Sequence, residues 1–196
     1  MDRSMLLALA LGYLLGSIPF GLVLTWAAGK GDVRNIGSGN IGATNVLRTG
    51  SKVLAALTLV LDCLKATAAI LIAQRFIGQE TGPAAAAGAL IGHLYPAWLK
   101  FRGGKGVATL LGILIALLPI AAIVYAATWI IVLLTLRISS VAGMTAAVSA
   151  PITAAVTHDA ALFPMLLGFA VLVLWKHREN ILRLRKGTEP RITLKT

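Results

Sequence analysis

The chain has 196 residues, of which 58% are hydrophobic and only 13% are charged, and its formal net charge is +11. A soluble domain of this size needs a more polar surface, so the composition excludes an ordinary soluble globular protein. The basic residues cluster where long apolar runs end, which indicates anionic lipid headgroups and anionic substrates, rather than nucleic acid, as the partners of the positive charge.

The long apolar runs predict an all-α, polytopic membrane protein that forms a single domain over residues 1–196. A helix needs about 20 residues to cross the hydrocarbon core, and fewer where neighbouring helices bury its ends. Seven transmembrane helices are predicted, at residues 5–26, 53–76, 83–98, 107–118, 120–136, 141–156 and 163–175. Several of these runs are short and one boundary rests on Leu118-Pro119 alone, so five or six spans is the alternative.

The distribution of basic residues predicts the orientation of these spans, because short cytoplasmic loops carry an excess of Lys and Arg. With seven spans, all basic segments fall on one face: Lys30, Arg34, Arg48 and Lys52, then Lys100, Arg102 and Lys105, then Arg137, then the tail from Lys176 to Lys195. The opposite connections carry almost no positive charge, although Arg75 borders one of them. The N-terminus is therefore predicted outside and the C-terminus in the cytoplasm.

A glycine-rich segment follows the first predicted span and reads GSGNIGATN at residues 37–45, with Arg48 shortly after it. Glycines allow successive backbone N–H groups to converge on an anion, and an arginine suits bidentate contact with phosphate. The segment predicts a phosphate cradle, although it lacks the Gly-Lys-Ser/Thr ending of a Walker A motif. The alternative is a flexible polar loop.

A second glycine-rich segment, Gly103-Gly104-Lys105-Gly106, directly precedes an apolar run. Free N–H groups and the helix dipole favour anions at a helix N-terminus, and Lys105 adds a mobile charge. A second phosphate contact is therefore predicted here. The alternative is a basic loop that flanks the membrane and obeys the positive-inside rule.

A third, strongly basic segment follows the last predicted span, at residues 176–185. If this segment is helical, His177 and Asn180 share one face, and His177 is a candidate base, acid or phosphate donor. A juxtamembrane helix that binds lipid headgroups is the alternative. Arg183, Arg185 and Lys186 are assigned to that second role.

The predicted spans contain few polar residues. Asp62 and Lys65 lie three residues apart in the second span, and we interpret them as a structural ion pair because charges inside a membrane are costly and usually paired. His93 either caps the end of the third span or contacts a substrate. Cys63 is interpreted as a small apolar residue, and no cluster of carboxylates or histidines indicates a metal site.

Three ordered motifs resemble those of the PlsY-type acyltransferases and together cover nearly the whole chain. The motifs comprise, first, Gly16-Ser17-Ile18-Pro19, Gly21, Asp32, Arg34, residues 37–45 and Arg48; second, Gly92-His93, Pro96, Phe101 and residues 103–109; third, residues 176–181, Arg183-Leu184, Gly187 and Glu189. The resemblance implies a seven-helix enzyme of the bacterial inner membrane with its active site facing the cytoplasm. Such an enzyme transfers a fatty acyl group from acyl phosphate to the sn-1 hydroxyl of glycerol-3-phosphate and yields lysophosphatidic acid.

The resemblance also implies roles for individual residues. The residues expected to bind glycerol-3-phosphate are Ser38, Arg48, Lys105, His177 and Asn180, of which Lys105, His177 and Asn180 would act in catalysis. The residues expected to frame the acyl-phosphate head are Gly39, Asn40, Gly42, Thr44, Asn45, Gly103 and Gly104. No cofactor or metal is expected. The expected partners are glycerol-3-phosphate, acyl phosphate and membrane lipids, and protein partners are unassigned.

An acyl phosphate is a mixed anhydride with a good leaving group, so the implied transfer requires no covalent acyl-enzyme. The hydroxyl proton then goes to the phosphate of the acyl phosphate or, in the competing version, to His177 as general base. A transporter of organic phosphates is the alternative from a different functional class. Transporters, however, place polar sites near the middle of the membrane and often contain repeats, neither of which the sequence indicates. A structural lipid-binding protein is the third alternative.

Overall fold

The computed structural model describes residues 2–192, so Lys195 of the basic tail lies outside the described residues. Over this range the chain is all-helical, without strands, which confirms the predicted fold class. The helices are α1 (Arg3–Gly16), α2 (Phe20–Ala27), α3 (Ala43–Val46), α4 (Lys52–Phe76), α5 (Gly82–Leu94), α6 (Val107–Leu117), α7 (Pro119–Leu136), α8 (Ser139–Val156), α9 (Phe163–Lys176) and α10 (Arg178–Arg185). Short 3-10 turns occupy Val33–Asn35, Leu47–Thr49, Gln79–Thr81 and Ala97–Leu99.

Four helical stretches in the described chain are long and apolar enough to cross a membrane: Arg3–Ala27, Lys52–Phe76, Pro119–Leu136 and Ser139–Val156. The apolar helices α6 and α9 are shorter. Many large apolar side chains on these helices are exposed, for example Phe76 at 78% and Val156 at 72% of their surface. Such exposure fits a lipid environment. The chain is a membrane protein, while the number of crossings and their orientation stay predictions.

Prolines set several helix boundaries. The first predicted span is divided between Gly16 and Phe20 because Pro19 cannot continue the hydrogen-bond ladder of α1. The break predicted at Leu118-Pro119 is confirmed, since Leu118 has a non-helical backbone (φ −149°, ψ 77°) and separates α6 from α7. The predicted end of the third span at residue 98 is wrong. Helix α5 ends at Leu94 because Pro96 disfavours helical backbone in the residue before it.

The described residues divide into two compact units, one ending at Leu117 and the other beginning at Leu118. In the first unit, α1 packs against α5 and α4, and α4 also packs against α6. The contact between α1 and α5 depends on glycines in both helices. A Cβ on Gly12 would overlap the carbonyl of Ala85, and a Cβ on Gly88 would overlap the carbonyl of Leu9. Small residues allow this close approach, which gives membrane helices van der Waals contact in place of hydrophobic burial.

The C-terminal end of α5 is joined to α1 by hydrogen bonds of aromatic side chains. The hydroxyl of Tyr13 donates to the carbonyl of Tyr95 at 3.0 Å and accepts from the backbone N–H of Ala97 at 3.0 Å. The indole of Trp98 donates to the carbonyl of Ser17 at 3.0 Å. These bonds satisfy backbone groups of Tyr95 and Ala97 after the end of α5 and of Ser17 at the end of α1.

In the second unit, α8 lies between α7 and α9 and packs against both through buried alanines. Helices α9 and α10 are nearly continuous and meet at His177, which caps both of them. The tail beyond α10 returns to the start of α8, where the N–H of Ile192 donates to the carbonyl of Arg137 at 2.7 Å.

We expect Gly88→Ala to destabilise the protein by about 1–3 kcal/mol, because its methyl group would force the backbones of α1 and α5 apart. The measurement is the thermal midpoint of the purified protein in detergent. Gly168→Ala is the matched control, because a Cβ at Gly168 in α9 meets no atom within 4 Å. Alanine there should leave the midpoint unchanged or raise it, since alanine favours the helix by about 1 kcal/mol over glycine. Equal midpoints for the two variants would contradict the inference that α1 and α5 need glycine at position 88 for their close contact.

Candidate functional site

The glycine-rich segment after α2 is organised from within by the buried side chain of Asn45. Its Nδ2 lies 2.8 Å from the carbonyl oxygens of Val33 and Asn40 and 2.9 Å from that of Ile36. Its Oδ1 accepts from the backbone N–H of Ser38 at 3.1 Å and from the Ser38 hydroxyl at 3.3 Å. Asn45 therefore fixes the path of the whole segment and orients Ser38, which is exposed.

Backbone conformation explains two of the glycines in this segment. Gly37 and Gly39 have φ values of +55° and +67°, which side chains other than glycine rarely adopt. The N–H of Gly39 donates to the carbonyl of Ile36 at 3.0 Å, and the N–H of Gly42 donates to Oδ1 of Asn40 at 2.9 Å. The segment is thus a built loop with internal hydrogen bonds rather than a flexible linker.

Arg48 lies directly against this loop. It belongs to the 3-10 turn Leu47–Thr49, and a Cβ on Gly37 would overlap its side chain. The absence of a side chain at Gly37 therefore leaves room for the arginine. The fold brings the exposed residues Ser38 and Arg48 close to the buried Asn45, and the binding of an anion here stays a prediction.

An ion pair lies at the entrance to the loop. The guanidinium of Arg34 contacts the carboxylate of Asp32 at 2.6 Å, and Asp32 also accepts from the backbone N–H of Arg34 at 2.9 Å. The hydrogen bonds from the Arg34 side chain lower the pKa of Asp32 below its ordinary value. Both groups are partly exposed, so the pair contributes little to stability and serves mainly to shape the turn.

The second glycine segment is seated on the end of α5. The N–H of Gly103 donates to the carbonyl of Leu94 at 3.2 Å, and the N–H of Gly104 donates to the carbonyl of His93 at 3.0 Å. A Cβ on either glycine would overlap His93, at its carbonyl oxygen for Gly103 and at its imidazole ring for Gly104. Because both N–H groups are used within the protein, these glycines contribute the shape of the loop rather than free amide donors.

Lys105 follows this turn, and Gly106, in the left-handed region at φ +86°, separates it from the start of α6. The lysine thus stands beside the first turn of an 11-residue helix, where backbone N–H groups favour an anion. The turn that carries Lys105 is fixed by His93, which lies in the preceding helix.

His177 and Asn180 are both buried, with 3% and 5% of their surface exposed. Nδ1 of His177 lies 2.8 Å from the carbonyl oxygen of Val173, one helical turn earlier. A carbonyl can only accept, so Nδ1 carries the hydrogen, and in the neutral ring Nε2 is the acceptor. The imidazole is therefore held in one orientation with its basic nitrogen directed away from the backbone of α9.

Asn180 is held by a carboxylate in the tail. Glu189 accepts from Nδ2 of Asn180 at 2.5 Å, from the hydroxyl of Ser140 at 2.7 Å and from Nε of Arg183 at 2.7 Å. Burial disfavours the charged carboxylate, but these three hydrogen bonds and the Arg183 charge outweigh it and lower the pKa of Glu189. Glu189 is thus ionised at neutral pH and orients Asn180.

The guanidinium of Arg183 pairs with Glu189 at 2.7 Å, and its assignment to lipid headgroups stays a prediction. Sequence reasoning included Glu189 in the third motif but gave it no structural role. The available signal was Glu189, one of only two carboxylates (with Glu179) in a strongly basic tail. A carboxylate in that setting has several cationic partners in reach, and only the return of the tail to α8 decides among them.

The ion pair predicted inside α4 is confirmed, with Nζ of Lys65 at 2.6 Å from Oδ1 of Asp62. Cys63 is buried beside it, in agreement with its interpretation as a small apolar residue. Over residues 2–192, no group of three or more His, Cys, Asp or Glu side chains is arranged to hold a metal ion.

Comparison with known proteins gives matches over almost the full length. The family model for glycerol-3-phosphate acyltransferase matches residues 6–187. A glycerol-3-phosphate acyltransferase of Mesorhizobium japonicum is 54% identical over 195 residues, which is 100% of both chains. One of Brucella ovis is 56% identical over 96% of this chain and 93% of its own length.

Solved structures agree with these relatives. The crystal structure of PlsY, an integral membrane glycerol 3-phosphate acyltransferase, in its glycerol 3-phosphate form has a TM-score of 0.90. It is 38% identical and covers 97% of this chain and 96% of its own. The lysophosphatidic acid form of PlsY has a TM-score of 0.88 at 37% identity. With its apolar helices, its two glycine loops and its oriented histidine, the chain belongs to the glycerol-3-phosphate acyltransferase family and is an acyltransferase of phospholipid synthesis.

Proposed function

We propose that this enzyme transfers the fatty acyl group of an acyl phosphate to the sn-1 hydroxyl of glycerol-3-phosphate, giving lysophosphatidic acid and phosphate. The observation that carries the proposal is full-length similarity to PlsY, whose crystal structures include a glycerol 3-phosphate form and a lysophosphatidic acid form. These molecules differ by one acyl group, so they are the acceptor and the product of one acylation. Family membership also favours an enzyme over a transporter of organic phosphates.

The active site is proposed to face the cytoplasm, at the inner membrane of a bacterium. With seven crossings, an external N-terminus and a cytoplasmic C-terminus, the segments that contain Arg48, Lys105 and His177 all lie on the cytoplasmic side. In this arrangement residues 1–196 act as a single domain, and the acyl chain lies between helices in contact with membrane lipids. Glycerol-3-phosphate enters from the water and the acyl donor from the bilayer.

Glycerol-3-phosphate is bound by Ser38, Arg48, Lys105, His177 and Asn180 in this proposal. Two features of the structure support these assignments. Ser38 is exposed on a loop that Asn45 holds in place, and Arg48 is exposed in the turn that lies against this loop, which lowers the entropic cost of binding an anion. Asn180 is oriented by Glu189, and His177 by the carbonyl of Val173, so both reach a substrate in fixed geometry.

The acyl-phosphate head is framed by the remaining loop residues, namely Gly39, Asn40, Gly42, Thr44, Asn45, Gly103 and Gly104. Their contribution is mainly one of shape. The side chain of Asn45 and the N–H groups of Gly39, Gly42, Gly103 and Gly104 form hydrogen bonds within the protein. Thr44 is exposed, and the left-handed Gly39 keeps the backbone of the loop free of a Cβ. A bound phosphate can therefore approach the loop backbone closely.

In the proposed mechanism the sn-1 oxygen attacks the carbonyl carbon of the acyl phosphate directly. A C–O ester bond forms, the C–O bond to the phosphate breaks, and the phosphate leaves with the electron pair of that bond. The hydroxyl proton moves to an oxygen of the departing phosphate. Cys63 is buried in α4, which disfavours a thioester intermediate on this residue. The protein acts by positioning two anions and by offsetting their mutual repulsion with Arg48 and Lys105.

The identity of the donor is tested with purified protein in detergent, radiolabelled glycerol-3-phosphate and either palmitoyl phosphate or palmitoyl-coenzyme A. We expect labelled lysophosphatidic acid with palmitoyl phosphate and none with the thioester, because the proposed mechanism returns the proton to the leaving phosphate. Transfer from the thioester alone would overturn the donor assignment. Absence of transfer from both donors would overturn the proposed function.

The role of Lys105 is tested by Lys105→Ala. We expect the KM for glycerol-3-phosphate to rise tenfold or more, about 1.4 kcal/mol, because a cation next to the bound phosphate is lost. Lys100→Ala is the matched control, since Lys100 lies in the same basic segment and is exposed. It should leave KM unchanged. An unchanged KM in Lys105→Ala would remove Lys105 from the binding site.

The base is tested by His177→Gln and His177→Ala, measured as kcat at saturating substrates. If the leaving phosphate takes the proton, glutamine retains most of kcat because its amide can still donate to a phosphate. A loss of about 10²–10⁴-fold in kcat for glutamine as well as alanine would instead identify the imidazole as the general base.

A further inference from the structure

A buried polar cluster inside the first unit has no part in the mechanism above. We call it the Lys65 cluster; it consists of Asp62, Lys65, His93 and the carbonyl of Ile18. Nζ of Lys65 lies 2.6 Å from Oδ1 of Asp62, 2.8 Å from the carbonyl oxygen of Ile18 and 3.0 Å from Nδ1 of His93. Only 3% of each of the Asp62 and Lys65 side chains is exposed.

Burying such a cluster inside the apolar part of the protein costs free energy. Both charges sit in the middle of α4, a helix long and apolar enough to span the membrane, and a buried ion pair often stabilises no more than apolar residues of the same size. An ion pair alone would need only Asp62 and Lys65. The ammonium group has two further hydrogen-bond partners, Ile18 at the break between α1 and α2 and His93 at the end of α5. The cluster therefore joins α4 to this break and to the end of α5.

The contact to His93 fixes the state of its ring. A lysine ammonium group donates and cannot accept, so Nδ1 of His93 accepts from Lys65 and the ring hydrogen resides on Nε2. The Nε2 edge of the same ring lies against Gly104, where even a Cβ would overlap it. The Nδ1 side of the His93 ring is thus held by Lys65, and its Nε2 side supports the loop at Gly104.

The backbone of His93 supports that loop as well. Its carbonyl accepts from the N–H of Gly104 at 3.0 Å, and the neighbouring carbonyl of Leu94 accepts from the N–H of Gly103 at 3.2 Å. The position of His93 therefore determines where both glycines lie. Lys105 is the next residue along the chain.

We propose that Asp62 and Lys65 are positioning residues: they hold His93, His93 seats Gly103 and Gly104, and this turn places Lys105 beside the substrate phosphate. The inference rests on the proposed role of Lys105 in binding glycerol-3-phosphate. The cluster touches no substrate in this scheme. The cluster acts on the site through the loop, so its loss should raise KM for glycerol-3-phosphate more than it lowers kcat.

The main test compares Lys65→Met with the double variant Asp62→Asn/Lys65→Met. The single variant leaves a buried carboxylate unpaired and can unfold. The double variant is neutral and similar in volume, yet it still removes the ammonium contact to His93. We expect the double variant to have a thermal midpoint near that of the wild type and a KM for glycerol-3-phosphate raised at least fivefold. Lys52→Met is the control, because Lys52 is exposed at the start of the same helix.

A wild-type KM in a stable double variant would overturn the proposal, because the cluster would then serve packing alone. A second kinetic test adds Lys105→Ala to the double variant. If the cluster acts through Lys105, the combined variant has a KM within about twofold of that of Lys105→Ala, since coupled residues are not additive. A multiplied increase in KM would overturn the route through Lys105.

Labelling supplies a test that is independent of catalysis. Lys105→Cys in a Cys63→Ala background is treated with a maleimide, with and without Asp62→Asn/Lys65→Met, and Lys100→Cys serves as the control. We expect the double variant to increase the labelling rate at position 105 at least threefold and to leave position 100 unchanged. Equal rates at position 105 would overturn the positioning role. If the wild-type enzyme showed no acyl transfer, the proposed function would fail, while this labelling result would still decide the positioning.

Discussion

The structure of the first unit depends on one constraint: a buried ammonium group among apolar helices has to find acceptors. Lys65 forms an ion pair with Asp62 on the same helix, α4, at 2.6 Å. Pro19 ends α1, and the carbonyl of Ile18 at this break accepts from Nζ of Lys65 at 2.8 Å as well as from the backbone N–H of Phe20 at 3.2 Å. Nδ1 of His93 lies 3.0 Å from the same ammonium group. The buried charge thus links α4 to the break between α1 and α2 and to the end of α5.

Both glycine loops are rigid for a reason that their composition does not suggest. Glycine usually adds conformational freedom, but here Asn45 holds one loop through its amide and His93 holds the other through its ring and carbonyl. The glycines at 37, 39 and 106 adopt left-handed backbone, and those at 103 and 104 allow contact with His93. Preorganised loops of this kind suit the binding of two phosphates, because little conformational entropy remains to be lost on binding.

In the second unit a charged side chain also orders its neighbours, but here the charge is negative. Its third motif is strongly basic, yet the residue that orders it is the carboxylate of Glu189, which is bound by Ser140, Asn180 and Arg183. The chain beyond α10 returns to α8 and fixes the side chain that the proposed mechanism uses. Part of the positive charge of the tail is thereby neutralised locally, so formal charge alone overstates the attraction of this segment for lipid headgroups.

Local signals in the sequence determined the all-α membrane character, the break at Leu118-Pro119, the ion pair of Asp62 and Lys65, and the family resemblance. Apolar run length, proline and a three-residue spacing act over short stretches of chain, so they can be read without a fold. The tertiary structure alone decided that Asn45 holds its loop, that His93 links Lys65 to Gly104, and that Arg183 pairs with Glu189. Residue spacing does not predict the contacts of His93 and Arg183, because loops and returning segments bring their partners to them. It does not predict the role of Asn45 either, because one amide has several carbonyls within reach.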